Sequence, residues 1–392
     1  MNKGLLSLAI GGFGIGMTEF VMMGILPDIA SSLDISIPKA GHFISSYALG
    51  VVVGAPLMIA IAGKYPPKKV LMALMLFFTI GNGLSAFAGD YYTLMATRFL
   101  SGLPHGAFFG VGAVVAGRLA GKGREARAVS MMFAGLTIAN IIGVPLGTYI
   151  GHHINWRYTF VIVTGIGVTT VTALHFWLPF LSAAGSSGFL NELKLFKRLK
   201  PWLIVWLTTI GTGGFFAWYS YIAPLLTEVS GFNSNSITYL LVIAGVGMTL
   251  GNIAGGRLAD RFSPAYATSG LLLIMSLALM TLTFVAPYKV PAALMTFTIG
   301  ALAFSIASPI QMMMIRAAKG SEMLASSITQ GAFNMGNAIG AYLGGLPLEQ
   351  GYTYTSSDWV GSGLAACGFI IALVILVLDR KNARRHNVEA TI

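Results

Sequence analysis

The sequence has little charge: Asp, Glu, Lys and Arg make up 9% of its 392 residues, against about 25% in an ordinary soluble domain. A water-soluble globule could not cover its surface with so few. It has one cysteine, Cys367, set in an apolar run, which rules out an intramolecular disulfide. No grouping of Cys, His and Asp shows metal-ligand spacing or a nucleophile with its base, so neither an enzyme nor a metal centre is expected, and no cofactor. The Gly247, Gly251 and Gly255 spacing superficially resembles a phosphate loop, but no strand precedes it. Coupling to ATP is therefore not indicated.

What is present is hydrophobic. Apolar residues make up 55% of the chain and mean hydropathy is +0.77, which excludes disorder. A bilayer core about 30 Å thick needs roughly 20 helical residues per crossing, so twelve crossings use about 240 residues and leave room for loops. Apolar runs fall near 5–27, 40–62, 70–88, 92–117, 128–150, 158–180, 202–226, 236–257, 265–286, 290–315, 323–345 and 357–378. The runs lack barrel alternation and must be helices, because lipid satisfies no open backbone groups. The fold class is an all-α membrane protein of twelve transmembrane helices. The first run, Leu5 to Pro27, is too long for a signal-peptide core and carries Glu19, so it reads as an uncleaved span.

The net charge of +11 would raise nucleic acid as a partner in a soluble protein. Here topology accounts for it. Of 24 Lys and Arg, all but Lys39, Arg98, Arg157 and Lys289 fall at the ends or in even-numbered loops, so the positive-inside rule places both termini and the long central loop in the cytoplasm. Nucleic acid is not an expected partner. A basic stretch within 182–200 reads as a cytoplasmic linker between an N-terminal six-helix bundle, 1–181, and a C-terminal one, 201–392.

The two halves match each other. At an offset of 197, Gly50, Gly54, Ala62, Lys64, Tyr65 and Pro67 fall on Gly247, Gly251, Ala259, Arg261, Phe262 and Pro264. At 193, Ala139, Gly143, Gly147, Tyr149 and Gly151 fall on Ala332, Gly336, Gly340, Tyr342 and Gly344. Parallel six-helix repeats around a midplane site describe an alternating-access transporter.

Four segments carry a family resemblance: 16–27 (GMTEFVMMGILP), 98–110 (RFLSGLPHGAFFG), 134–147 (AGLTIANIIGVPLG) and 156–160 (WRYTF). Through them the chain resembles the major facilitator superfamily, within it the drug:proton antiporter-1 exporters, and especially their arabinose-inducible, AraJ-type branch. The resemblance implies two pseudo-symmetric six-helix bundles and proton-driven efflux of drug-like amphipaths or sugars across a bacterial inner membrane. A proton-linked or facilitative carrier of sugars or polar solutes is the alternative, and a monomer is expected.

A carboxylate in the membrane is expensive, and its neutral form is the affordable one. Glu19 alone among the acids reads as well inside a span; Asp28 reads as just past the outer end of the first. Glu19 is thus the candidate proton carrier, the competing reading being a permanently neutral, hydrogen-bonded acid. The resemblance places Arg98 at the arginine of the proton-relay motif, where a guanidinium biases a neighbouring carboxyl or simply anchors backbone. His105 follows two turns later as a titrating group or a fixed polar contact.

Gly143, Pro145 and Gly147 resemble the glycine–proline hinge of exporters, though Val144 interrupts the pattern. The loop signature Gly256-Arg-Leu-Ala-Asp-Arg261 offers Asp260 and Arg261 as a latch; in the first half Gly63 stands where an acid is expected, which leaves Lys64, Lys68 and Lys69 as topological charges. Spans one, four, seven and ten surround the pore in the resembled fold. Substrate-contact candidates are therefore Phe20, Phe108, Phe109, Phe216, Trp218 and Tyr219 as aromatic walls, with Asn140, Gln311, Asn334 and Asn337 as neutral hydrogen-bonding groups. Each aromatic could equally face lipid or pack between helices.

Overall fold

The computed structural model describes residues 3–62, 65–120, 125–182, 196–318 and 321–389, and all regular structure among them is helical. Twelve rods follow the apolar runs. They are α1 (Lys3–Ser32), α2 (Ile37–Ala62), α3 (Pro67–Ala86), α4 (Tyr91–Leu119), α5 (125–155), α6 (Trp156–Trp177), α7 (199–229), α8 (Ile237–Arg261), α9 (Pro264–Val285), α10 (Lys289–Ala317), α11 (Glu322–Glu349) and α12 (Ser356–Glu389).

Among the described residues nine stretches are long and apolar enough to span a membrane. One of them, Ala128–Trp177 with 50 residues, holds two crossings: at 1.5 Å per residue it would extend about 75 Å as one helix. The turn falls at Asn155, whose backbone is extended (φ −170°, ψ 137°) and whose side chain accepts from the Arg157 amide at 3.0 Å. That cap stops α5 and starts α6. The two rods outside the nine are α7 and α11, diluted by glycine and threonine in the first and by Ser326, Ser327, Gln330, Asn334 and Asn337 in the second. Their polar positions, Thr208, Thr209 and Thr212 in α7 and Ser327, Asn334 and Asn337 in α11, are buried against other helices and so are kept from lipid.

Prolines and glycines set the interruptions. Pro104 has no N–H to donate, and α4 breaks between Gly102 and His105. In α5 a widened turn at Ala139–Gly143 stands one turn before Pro145, the place where the missing donor frees a carbonyl.

The duplication read from sequence is a duplication of contacts. A side chain at Gly50 or Gly54 in α2 would run into the backbone of Phe99 or Leu103 in α4, and one at Gly247 or Gly251 in α8 into that of Phe297 or Ala301 in α10. Each pair of helices thus crosses at backbone distance through the same two glycines. The sequence's apparent phosphate-loop spacing is this crossing. Between the halves, α2 lies along α11 and α5 along α8, with Ser45 Oγ donating to Ala338 O at 3.0 Å and Gly245 packed on the Asn140 backbone.

An even number of crossings puts both ends of the chain on one face, here the terminal face; the opposite is the far face. Lys68 is more than a topological charge: its Nζ donates to His175 O at 2.7 Å and Leu178 O at 2.6 Å, capping the carbonyl end of α6. Lys64 lies outside the described residues, as do 183–195 of the expected linker.

Candidate functional site

Four helices of the first half build a polar knot in the middle of their bundle. Arg98 of α4 is completely buried. Its Nη1 donates to Thr18 Oγ1 at 2.9 Å and its Nη2 to Thr18 O at 3.0 Å. Thr18 Oγ1 in turn donates to Asn82 Oδ1 of α3 at 2.6 Å, and Asn82 Nδ2 to Phe78 O at 2.9 Å. The guanidinium also lies over the Tyr47 ring of α2, 4.4 Å from its centroid, and faces Phe160 of α6 at 5.4 Å. Tyr47 Oη meets His105 Nδ1 at 3.1 Å. His105, buried, therefore sits one hydrogen bond away from the ring under the arginine.

Glu19 adjoins this knot without entering it. Its side chain is 6% exposed, and Arg98 lies within electrostatic range, yet no hydrogen bond or ion pair holds the carboxyl among the described residues. The carboxyl thus stands outside the hydrogen-bond network that ties Arg98, Thr18 and Asn82 together. Thr18, Tyr47 and Asn82 were not singled out from sequence, because hydroxyls and amides in an apolar run carry no mark of which neighbour they meet.

Next to Glu19, Phe20 crosses to the other half. Its ring stacks near Phe216 at 6.3 Å and meets Tyr219 at 6.1 Å, both on α7, and Phe304 of α10 at 6.2 Å. Phe215 stacks on Tyr219 at 4.9 Å and touches Trp218 at 5.9 Å. Phe20, Phe216, Trp218 and Tyr219 thus form one aromatic cluster between the halves. Phe108 and Phe109 lie apart from it: Phe108 packs against Gly11 and Phe109 stacks on Phe133 at 4.9 Å, inside the first bundle.

The amides lie on α5, α10 and α11. Asn334 Nδ2 donates to Gln330 O at 3.1 Å and Asn140 Nδ2 to Leu136 O at 3.0 Å, while the carbonyl oxygens of both amides are buried without partners. Asn337 is completely buried with neither amide atom bonded, and Ser327 Oγ is likewise orphaned. Ser327, Asn334 and Asn337 recur at helical spacing on one stripe of α11, where Gly110 of α4 faces Ser327. Gln311 Nε2 donates to Ser326 Oγ at 3.0 Å, tying α10 to α11. Leaving a buried amide unpaired costs about 1–3 kcal/mol per group, and here the cost falls along one stripe of α11 and, separately, at Asn140 on α5.

Of the hinge candidates, Gly143 packs on the Phe13 ring and Gly147 on Met17, Val21 and Thr159, with Pro145 buried between them. Arg261 ends α8 exposed, its guanidinium 5.8 Å from the Phe262 ring centroid. The Asp260 side chain lies outside the described residues. α1 continues to Ser32 through Pro27, five residues past the apolar run, so Asp28 lies on the helix, where it meets His152 Nδ1 of α5 at 2.9 Å. A proline near a helix end still accepts helical φ, which is why the run did not stop there.

The model of the family described as the Major Facilitator Superfamily matches residues 8–323. The chain is 40% identical over 380 residues to the putative transporter AraJ of Escherichia coli (strain K12), covering 97% of this chain and 96% of that one. It is 42% identical over 386 residues to the inner membrane transport protein YdhP of Escherichia coli O157:H7, covering 98% and 97%. A more distant relative, at 28% over 344 residues and 87% of each chain, is a probable sugar efflux transporter of Helicobacter acinonychis (strain Sheeba).

Proposed function

The chain belongs to the Major Facilitator Superfamily, and we propose that it is a proton-coupled exporter of small molecules in a bacterial inner membrane, working by alternating access with both termini cytoplasmic. It works as a monomer, its bundles 1–181 and 201–392 joined by the linker 182–200. The observation that carries this reading is Glu19: a carboxyl buried between helices, beside a buried guanidinium, with no bonded partner to hold it. Such an acid can take a proton while the site faces one side and release it when substrate binds or the site faces the other. Arg98 stays charged throughout and sets the field in which that exchange occurs.

The orphaned amides of α5 and α11 favour cargo rich in hydroxyl or carbonyl groups, set against the aromatic faces of Phe20, Phe216 and Tyr219. The sugar efflux transporter among the relatives agrees with that chemistry. The same groups would serve a facilitative or proton-linked carrier of polar solutes, and the coupling test separates the two. In inverted vesicles, Glu19→Gln abolishes efflux driven by a pH gradient while leaving the protein folded. Undiminished gradient-driven transport by that variant removes Glu19 from coupling; equal, gradient-independent transport by both proteins supports the facilitative carrier.

A further inference from the structure

Asp358, the third residue of α12, has a completely buried side chain, and both carboxyl oxygens lack a partner. It belongs to neither the polar knot nor the aromatic cluster. Its level in the second half follows from the packing of α7 against α12: Gly214 meets Gly361 and Gly211 meets Gly368, so the helices run antiparallel and one further turn towards the far face brings Trp218 level with Asp358. At that level Ser357 Oγ donates to Gly344 O at 2.9 Å, and Gly344 packs on Ala217. Trp218 Nε1, Ser220 Oγ and Ser356 Oγ are also buried and unpartnered. The far-face third of the C-terminal bundle thus holds a free carboxyl and three free polar groups where α7, α11 and α12 converge.

Among the described residues no cation neutralises this acid. On α9 the one ionisable side chain is Tyr266, close to the opposite end; α7 offers Lys200 at the terminal face, Tyr219, Tyr221 and the exposed Glu228; α11 offers Tyr342 and Glu349 towards the far face and Glu322 at the terminal face. A buried carboxylate without a counter-charge or a donor is too costly to keep, whereas a bound proton removes the charge and creates a donor for a neighbouring hydroxyl. One turn before Asp358, half-buried Tyr354 sits against Glu228, and burial and then that carboxylate push its hydroxyl up to about 12. Glu228 and Tyr354 thus form a polar pair at the far ends of α7 and of the turn that leads into α12, four residues of chain before Asp358.

We propose that Asp358 is a second proton-binding centre, built into the C-terminal bundle apart from Glu19 and reached from the far face past Glu228 and Tyr354. The full-length protein in lipid nanodiscs, taken from neutral to alkaline pH, where ordinary carboxyls are already ionised, and followed by infrared difference spectroscopy, shows two protonated-carboxyl signals that disappear. Glu19→Gln removes one and Asp358→Asn the other. A spectrum unchanged by Asp358→Asn overturns the proposal, as does a wild-type signal fully removed by Glu19→Gln. Should Asp358→Asn not fold, Asp358→Glu decides: the second signal moves in frequency if the site binds the proton and stays in place if it does not. Because each variant addresses its own signal, loss of the Glu19 assignment leaves the Asp358 result standing.

Discussion

Arg98 gives both of its terminal nitrogens to a single residue, Thr18, bonding the hydroxyl at 2.9 Å and the backbone carbonyl at 3.0 Å, while Glu19, the next residue, receives none. The arginine is thereby fixed to the helix that carries the acid and not to the acid itself. The guanidinium is thus held by the Thr18 hydroxyl and carbonyl independently of the Glu19 carboxyl.

Thr18→Val keeps shape and removes the hydroxyl that links Arg98 to Asn82. Hydrogen bonds to charged groups contribute about 1.5–3 kcal/mol, and the variant is destabilised by that order. Thermal unfolding in detergent shows a lowered midpoint, and Arg98→Lys, which replaces the planar two-nitrogen fork by a single donor centre, shows a similar one. A Thr18→Val midpoint equal to wild type would mean the guanidinium is anchored by Tyr47 and Phe160 alone.

The paired glycine crossings make a comparative prediction. Gly54→Ala and Gly251→Ala each place a methyl into the backbone of a facing helix, Leu103 and Ala301 respectively, and overpacking of this kind costs about 1–3 kcal/mol. Gly117→Ala meets nothing within 4 Å and gains helix propensity instead. Denaturation midpoints should fall for the first two by similar amounts and hold or rise for the third. Unequal costs at Gly54 and Gly251 would show that the halves pack differently despite their matched sequence.

The twelve helices were legible because hydrocarbon thickness imposes a length on each apolar run, and the boundaries drift mainly where a proline or asparagine permits more helix than polarity suggests, as at Pro27 and Asn155. Glu19 and Arg98 were legible because an ionised group in lipid is conspicuous. Thr18, Asn82 and Tyr47 were not, since an 80-residue separation between Arg98 and Thr18 leaves no local pattern. Asp358 was hidden for another reason: an acid in the first turn of a helix normally faces water and the helix dipole, and only the packing of α12 among its neighbouring helices buries it.

Outside the membrane, Asp90 gives a pH dependence of known sign. Its carboxylate accepts from the amides of Tyr92 and Thr93 at 2.9 and 3.0 Å and from the Thr93 hydroxyl at 2.5 Å, capping α4. The Thr93 hydroxyl first, and then the Thr93 and Tyr92 amides, hold it below its ordinary 3.8. A depressed carboxyl contributes fully above the ordinary value and loses that contribution as pH falls through the lower, folded one. Asp90→Ala therefore lowers the unfolding midpoint at pH 7, and the gap from wild type closes only below pH 3.8. A gap already closed at pH 5 would exclude the charged cap.

Asn337 separates a ligand-binding role from a structural one by the sign of its effect on stability. Its amide is buried with neither atom bonded, so Asn337→Leu, which has the same branched heavy-atom skeleton, removes an unsatisfied polar group and breaks no bond within the protein. Replacing such a group by an apolar one is neutral or stabilising, and the unfolding midpoint should hold or rise. Transport should fall nonetheless, because cargo that completed those bonds loses about 1.4 kcal/mol of binding for every tenfold drop in affinity. In proteoliposomes the variant is expected to need at least about tenfold more substrate for half-maximal rate. A destabilised Asn337→Leu with unchanged transport would make the amide a packing element and move the binding site away from α11.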